Sequence, residues 1–133
     1  MTALRYLVIF AAACSAQLQT IQIENHTPRP IEQLYVHAAG SPRGASRGQL
    51  APNATTQVQM KPGNVEVYAV SQKLQVDEHT RDVPEASQQF ELRAPAKVIF
   101  YDAGADKPAG VDRPNVYGVA FSIPKPKPEP TGP

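Results

Sequence analysis

The three histidines are the residues of this chain best suited to bind a metal ion or transfer a proton. His26, His37 and His79 lie far apart, and none belongs to an HxH, HxxxH or HExxH pattern. Those spacings are the ones that place two imidazoles on one metal ion. His37 follows Tyr35 on the polar side of a predicted strand, where it either contacts a ligand or lies at the rim of a sheet. The sequence therefore predicts no metal site and no cofactor.

Carboxylate groups form no catalytic or metal-binding pattern either. Asp102 and Asp106 bracket a loop, but a calcium loop needs a third acidic ligand and a closing glutamate. The charged residues 77–82 are typical of a solvated loop. Because histidine, aspartate and serine are dispersed along the chain, we expect a protein that is not an enzyme.

Tyrosines and arginines form the candidate contact surface of this chain. Tyr35 and Tyr68 lie on predicted strands, and Arg43 and Arg47 lie in a loop of small residues. Tyrosine and arginine are enriched where proteins bind their partners. With His37, these residues predict a surface that contacts a protein or a glycan; in the alternative, the tyrosines pack half-buried at the rims of the sheets. The net charge of +1 gives no electrostatic case for binding nucleic acid.

Residues 1–16 have the pattern of a secretory signal peptide. Arg5 precedes an apolar run over residues 7–13, and small residues follow at Cys14, Ser15 and Ala16. The run is much shorter than the roughly 20 apolar residues of a membrane-spanning helix. We therefore expect export to the periplasm or cell envelope, with release from the cell as the alternative.

Cys14 is the only cysteine, and it allows two kinds of processing. Cleavage after Ala16 would remove it and leave a soluble domain. Alternatively, the sequence Ala-Ala-Ala-Cys ending at Cys14 resembles a bacterial lipobox, in which cleavage before the cysteine accompanies its lipidation. Only lipidation of Cys14 would attach this protein to a membrane. In both cases the folded domain has no thiol for a disulfide or a metal site.

Residues 17–123 predict a single all-β domain. Apolar residues recur with a period of two in short segments, and no window keeps helical spacing for three turns. The predicted strands are residues 20–24, 31–38, 55–60, 65–70, 73–76, 87–93, 97–101 and 115–123. This spacing indicates an antiparallel β-sandwich or small barrel of about seven or eight strands. Pro62 and Gly63 predict a type II turn that closes a hairpin between residues 55–60 and 65–70.

Residues 124–133 form a tail rich in proline and lysine. Alternating prolines favour an extended polyproline II conformation, which would span roughly 30 Å at 3.1 Å per residue. The tail is either a spacer or docking strip for a partner, or a solvated chain end.

Motifs between Ile21 and Val70 resemble a family of small exported bacterial β-sandwich domains. The motifs are Ile23-x-Asn25-x-Thr27, Ile31-x-x-Leu34-Tyr35-Val36, Gly48-x-Leu50-x-Pro52 and Val58-x-Met60-x-Pro62-Gly63. The resemblance implies export and a sandwich fold, and it implies no catalytic activity. We therefore expect an exported periplasmic or envelope-associated module that binds another envelope protein or has a structural role. The alternative is an exported protein that binds a small ligand or a metal ion.

Overall fold

The computed structural model describes residues 17–124, and within that range the chain forms nine strands and no helix. The expectation of an all-β fold is confirmed. The described part contains no helix able to cross a membrane. The strands are β1 (Gln19–Asn25), β2 (Ile31–Ala38), β3 (Thr55–Met60), β4 (Gly63–Ser71), β5 (Leu74–Gln75), β6 (Arg81–Asp82), β7 (Glu85–Leu92), β8 (Ala96–Asp102) and β9 (Val116–Phe121).

The strands belong to three sheets. Four strands form a sheet in the order β3-β1-β8-β9, three form a second in the order β2-β4-β7, and β5 pairs with β6. The three-stranded sheet is antiparallel, as expected. The four-stranded sheet is mixed, because β8 lies parallel to both β1 and β9. The prediction of purely antiparallel sheets is therefore wrong.

Long connections explain the parallel pairs. Parallel neighbours need a connection that returns the chain to the same end of the sheet, which a tight turn cannot do. Residues 103–115 make this return between β8 and β9. The structure has nine strands where the sequence predicts about seven or eight. The additional strand is β6, which lies within residues that the sequence predicts as a polar loop. Its two residues are too few to show a period of two.

The turn at Pro62 and Gly63 joins two different sheets. The strand bounds at β3 agree with the prediction, and Gly63 has the positive φ of 139° that favours glycine. However, β3 pairs with β1, whereas β4 pairs with β2 and β7. The predicted hairpin is therefore wrong. Turn chemistry specifies a reversal of the chain, but it does not specify which strand becomes the neighbour.

The inward sides of the two larger sheets share one hydrophobic cluster, which makes the arrangement sandwich-like. Phe100 and Phe121 are fully buried in it, with ring centroids 5.5 Å apart. Full burial of such a side chain contributes about 1.5–3 kcal/mol. Strand β8 is covered on both sides, because Ile99 is also buried while it faces away from this cluster.

Asn25 joins the end of β1 to the loops around it. Its side chain is fully buried, and Nδ2 lies 2.8 Å from the Arg29 carbonyl oxygen and 3.0 Å from that of Leu50. Oδ1 accepts hydrogen bonds from both the amide and the hydroxyl of Thr27. One amide side chain thereby sets the position of the turn into β2 and of the loop before β3.

Gly118 on β9 has no space for a larger side chain. A Cβ at this position would lie 3.0 Å from Val111 Cγ1 and 3.2 Å from Tyr101 Cε1. We predict that Gly118→Val lowers the free energy of unfolding by about 1–3 kcal/mol, because the loop must move away from the sheet. Chemical denaturation measures this change.

The matched control is Ala120→Val, two residues along the same strand, where the side chain is exposed. This variant should change the unfolding free energy by less than about 0.5 kcal/mol. Equal effects of the two substitutions would contradict the close packing of residues 103–115 on β9.

Candidate contact surface

The outward side of the three-stranded sheet brings together most of the candidate contact residues. The alternation that points Leu34 and Val36 into the core points Tyr35 outward. His37 lies on the same side of β2 but is covered by its neighbours, with only 9% of its surface exposed. The same alternation on β4 turns Tyr68 outward, opposite Tyr35. We call this surface the tyrosine face, and it consists of Tyr35, His37, Glu66, Tyr68, Glu85 and Gln89 on the strands with Arg43 from the loop after β2.

Aromatic and cationic contacts order the centre of the tyrosine face. The ring centroids of Tyr35 and Tyr68 are 6.0 Å apart, and Arg43 Cζ lies 3.8 Å from the centroid of the Tyr68 ring. A guanidinium at this distance is attracted by the negative face of the ring. Burial, together with the neighbouring Glu85 carboxylate, raises the pKa of the Tyr68 hydroxyl. This hydroxyl therefore stays protonated at neutral pH and remains a hydrogen-bond donor.

A second row of polar contacts crosses the three strands beside the tyrosines. His37 Nε2 lies 2.9 Å from Glu66 Oε1, and Gln89 Nε2 donates to Glu66 Oε2 at 3.1 Å. His37 Nδ1 lies 2.9 Å from the Ala38 carbonyl oxygen. The hydrogen bond from Gln89, with further contributions from His37 and Arg43, lowers the pKa of Glu66. The carboxylate is therefore ionised and held in place at neutral pH.

Arg47 does not join the tyrosine face. Its Nη2 lies 3.5 Å from the Val36 carbonyl oxygen and 3.8 Å from Met60 Sδ, beside the outer edge of β2. The backbone amide of Arg47 donates to the Leu34 carbonyl oxygen at 2.6 Å. The loop therefore runs along the edge of β2, and only Arg43 reaches over the outward side of the sheet.

An ion pair that no local pattern indicates lies at one end of the strands. Arg29 Nη1 and Nη2 lie 2.9 and 2.6 Å from the two carboxylate oxygens of Asp102, and Arg29 Nε donates to Ser71 Oγ at 3.0 Å. Both carboxylate oxygens of Asp102 are therefore paired with Arg29. Three distant segments meet at this point, so no spacing in the sequence could have indicated it.

Residues 44–48 have the Gly-x-Ser-x-Gly pattern that surrounds the nucleophilic serine of many hydrolases. This pattern is an exception to the expectation that the chain has no catalytic motif. A nucleophile of this kind needs a sharp turn between a strand and a helix. Ser46 instead lies in a loop, where its Oγ accepts backbone hydrogen bonds from Leu34 at 3.3 Å and Gly48 at 3.1 Å. These contacts give Ser46 a structural role in holding the loop against β2.

The other candidate groups do not converge. His26 contacts Glu24 at 2.8 Å, and His79 is exposed on the connection between β5 and β6. Across residues 17–124 the structure contains no group of three histidine, aspartate or glutamate side chains placed to hold a metal ion.

An open depression of about 490 Å³ lies near Leu18 and Met60, and no residue of the tyrosine face lines it. Cys14 and residues 125–133 lie outside the described residues.

Comparisons with protein-family models, curated proteins and solved structures find no match to this chain. The resemblance to exported bacterial sandwich domains therefore stays a prediction.

We predict that Glu66→Gln lowers the free energy of unfolding at pH 7 by up to about 1 kcal/mol, because it removes the charged carboxylate that Gln89 and His37 stabilise. The folded state holds the pKa of Glu66 below its usual 4.5, so its stabilising effect is present above that pH. This effect is lost as the pH falls through the lowered pKa. Denaturant titrations at pH 7 and pH 3 measure the difference between the two proteins.

Glu91→Gln provides the control, since this carboxylate is exposed and pairs with the exposed Arg93. The Glu66→Gln difference should be the larger at pH 7 and should be smaller at pH 3 than at pH 7, because protonation of Glu66 removes the charge. A difference of the same size at pH 7 and pH 3 would show that packing, and not charge, accounts for it.

Proposed function

We propose that this chain is an exported, non-enzymatic β-sandwich module of the periplasm or cell envelope that binds another envelope protein through the tyrosine face. The observation that carries the proposal is the stacking of Arg43 on Tyr68 beside Tyr35. Tyrosine and arginine dominate the energetics of protein interfaces, and side chains held in place before binding lose little entropy.

The shape and polarity of the surface support a protein partner. The three antiparallel strands present a sheet face, and the polar row of His37, Glu66 and Gln89 lies beside the tyrosines. An aromatic centre bordered by hydrogen-bonding groups is the usual anatomy of a protein interface. The Tyr35 hydroxyl donates to Gln33 Oε1 at 2.9 Å, so it offers a partner the lone pairs of its oxygen as a hydrogen-bond acceptor.

The proposal of export rests on the signal-peptide pattern of residues 1–16. The core of the described domain is built without any cysteine, so its stability does not depend on the redox state of the compartment. Lipidation of Cys14 would anchor the same module to the membrane, whereas cleavage after Ala16 would release it.

Expression of the complete chain in a bacterial host tests the processing. We predict that mass spectrometry of the protein recovered from the envelope fraction shows a chain that begins at Gln17. A chain that begins at diacylated Cys14 would support the anchored form. Unprocessed protein in the cytoplasm would contradict export.

Paired alanine variants test the binding surface. We predict that Tyr35→Ala with Tyr68→Ala weakens binding of the envelope partner at least tenfold, since interface tyrosines commonly contribute about 2 kcal/mol each. The partner is first captured by cross-linking in an envelope extract, and its affinity for each variant is then measured by calorimetry.

The matched control carries Thr55→Ala and Gln57→Ala, two exposed positions on β3 in the other sheet. This variant should bind as the unmodified protein does. Circular dichroism confirms that each variant is folded before its binding is compared. Unchanged binding by the folded tyrosine variant would exclude the tyrosine face as the interface.

A further inference from the structure

The four-stranded sheet has an open edge at β3. This strand lies at one end of the order β3-β1-β8-β9 and pairs on one side with β1. At the other end of the sheet, Tyr117 of β9 stacks on Phe90 of β7 with ring centroids 4.4 Å apart, so contacts between the two larger sheets close that side. The edge of β2 is covered by a loop, because the Arg47 amide donates to the Leu34 carbonyl oxygen.

Alternate residues of β3 direct their backbone groups out of the sheet. The Asn25 amide donates to the Ala54 carbonyl oxygen at 3.0 Å, and in an antiparallel pair every second residue bonds to the neighbouring strand. Counting from this pair, the even-numbered residues of β3 bond to β1. The N–H and C=O groups of Thr55, Gln57 and Gln59 therefore face outward. Within residues 17–124, no loop supplies a backbone hydrogen bond to these three residues.

Strand β3 lacks the features that usually prevent an edge strand from pairing with another chain. Such edges are commonly protected by charged side chains, proline or a bulge. The strand reads Thr-Thr-Gln-Val-Gln-Met, without charge or proline, and its pairing with β1 continues without a bulge. Lys61 and Pro62 come only after its last residue. The edge is therefore neutral and open along the whole strand.

A second copy of β3 satisfies every open backbone group of the first. With the two strands antiparallel and Gln57 opposite its own counterpart, Thr55 lies opposite Gln59 of the second copy, and Gln59 lies opposite Thr55. Each of these three pairs exchanges two backbone hydrogen bonds. Shifting the register by two residues in either direction pairs one of the open residues with Asn53 or with Lys61, both outside the strand. The centred register therefore uses the open groups most completely.

The side chains of β3 are also compatible with this register. On the outward side, the uncharged Gln57 amides lie next to each other, and Lys61 lies opposite Asn53, so the two lysines are at opposite ends. On the inward side, Met60 lies opposite Ala54 of the second copy. Both residues are half-buried and pack against the hydrophobic cluster of their own chain. Apolar pairs directly opposite each other stabilise a sheet, so pairing would cover the exposed part of each.

We infer that two copies of this chain associate through β3, antiparallel and centred on Gln57, to form one continuous eight-stranded sheet. A two-fold axis perpendicular to the sheet relates the copies, and each copy uses its open edge, so assembly stops at the dimer. Because each copy contributes a single strand, the interface is small and the dimer is reversible. The association uses a different sheet from the tyrosine face. It leaves the tyrosine faces of both copies uncovered on the same side of the dimer.

Sedimentation equilibrium tests the association in a chain of residues 17–133, which contains all nine strands and the hydrophobic cluster. We expect a dimer fraction that rises with protein concentration. Gln57→Pro should weaken the association about tenfold or more, because it removes central hydrogen bonds between the copies and its ring obstructs the edge. The Gln57 amide has no partner within its own sheet, so this variant should keep its fold, which circular dichroism checks.

The matched comparison is Tyr35→Ala with Tyr68→Ala, which should leave the dimer unchanged because it alters the other sheet. A chain that stays monomeric up to millimolar concentration would overturn the association. A dimer that the folded Gln57→Pro variant leaves unchanged would also overturn it, since the copies would then meet through another surface.

Charge substitutions at the same position test the two-fold axis without introducing proline. Gln57→Lys and Gln57→Glu should each weaken self-association, because like charges then lie directly opposite each other. An equal mixture of the two variants should associate more strongly than either variant alone. A mixture that associates no better than its components would contradict the position of Gln57 on the axis.

Disulfide cross-linking tests the register directly, since the only cysteine of the chain, Cys14, lies outside residues 17–133. Opposite residues of a hydrogen-bonded pair have Cα atoms about 5.5 Å apart, within the range that a disulfide spans. Gln57→Cys should therefore cross-link two copies on mild oxidation. Thr55→Cys and Gln59→Cys should not cross-link alone, because each lies four residues, about 13 Å, along the strand from its counterpart.

A mixture of the Thr55→Cys and Gln59→Cys chains should cross-link, because these two positions lie opposite each other in the dimer. All three cysteine positions are exposed and share the outward side of β3, so they are matched in access to the oxidant. Equal cross-linking of the three variants alone would show random collision and would overturn the proposed pairing.

Discussion

The buried amide of Asn25 is the interaction on which the arrangement of the two sheets depends. Every polar group of this residue is used, because its backbone amide donates to Ala54, its carbonyl accepts from Asn53, and its side chain binds two segments, residues 27–29 and residues 50–51. An unpartnered buried amide would cost about 1–3 kcal/mol. In the part of the chain that the structure describes, no buried side-chain nitrogen or oxygen lacks a hydrogen bond. The strand ends are therefore held in one geometry and not in several of similar energy.

The tyrosine face depends on this geometry. Asn25 accepts from Thr27 and donates to the Arg29 carbonyl, which sets the path of the turn between β1 and β2. The Arg29 side chain then binds Asp102 on β8 and Ser71 at the end of β4. These contacts connect the two larger sheets at one end, while the hydrophobic cluster fills the space between them. In the same fold, β2 meets β4 in the register that places Tyr35 opposite Tyr68.

Most of the strands could be predicted because their signal is local. The bounds of β2 and β3 agree with the alternation in the sequence, and β8 has the continuous apolar run expected of a strand covered on both sides. Part of the candidate surface followed from the same alternation, since it requires Tyr35 and His37 to share one side of β2. The sequence could not show, however, which of Arg43 and Arg47 lies near the tyrosines, because a loop of small residues has no periodicity. Only Arg43 contacts a tyrosine in the fold.

The sequence by itself determined the all-β class, the alternation of each strand and the sites of chain reversal, because these properties depend on residues close together in the chain. Tertiary structure alone decided that β3 pairs with β1 instead of β4, that β8 lies parallel to its neighbours, and that Arg29 binds Asp102. Pairing depends on the free energy of the whole packed core and of its buried polar contacts. Since those contacts join residues distant in the chain, no local spacing records them.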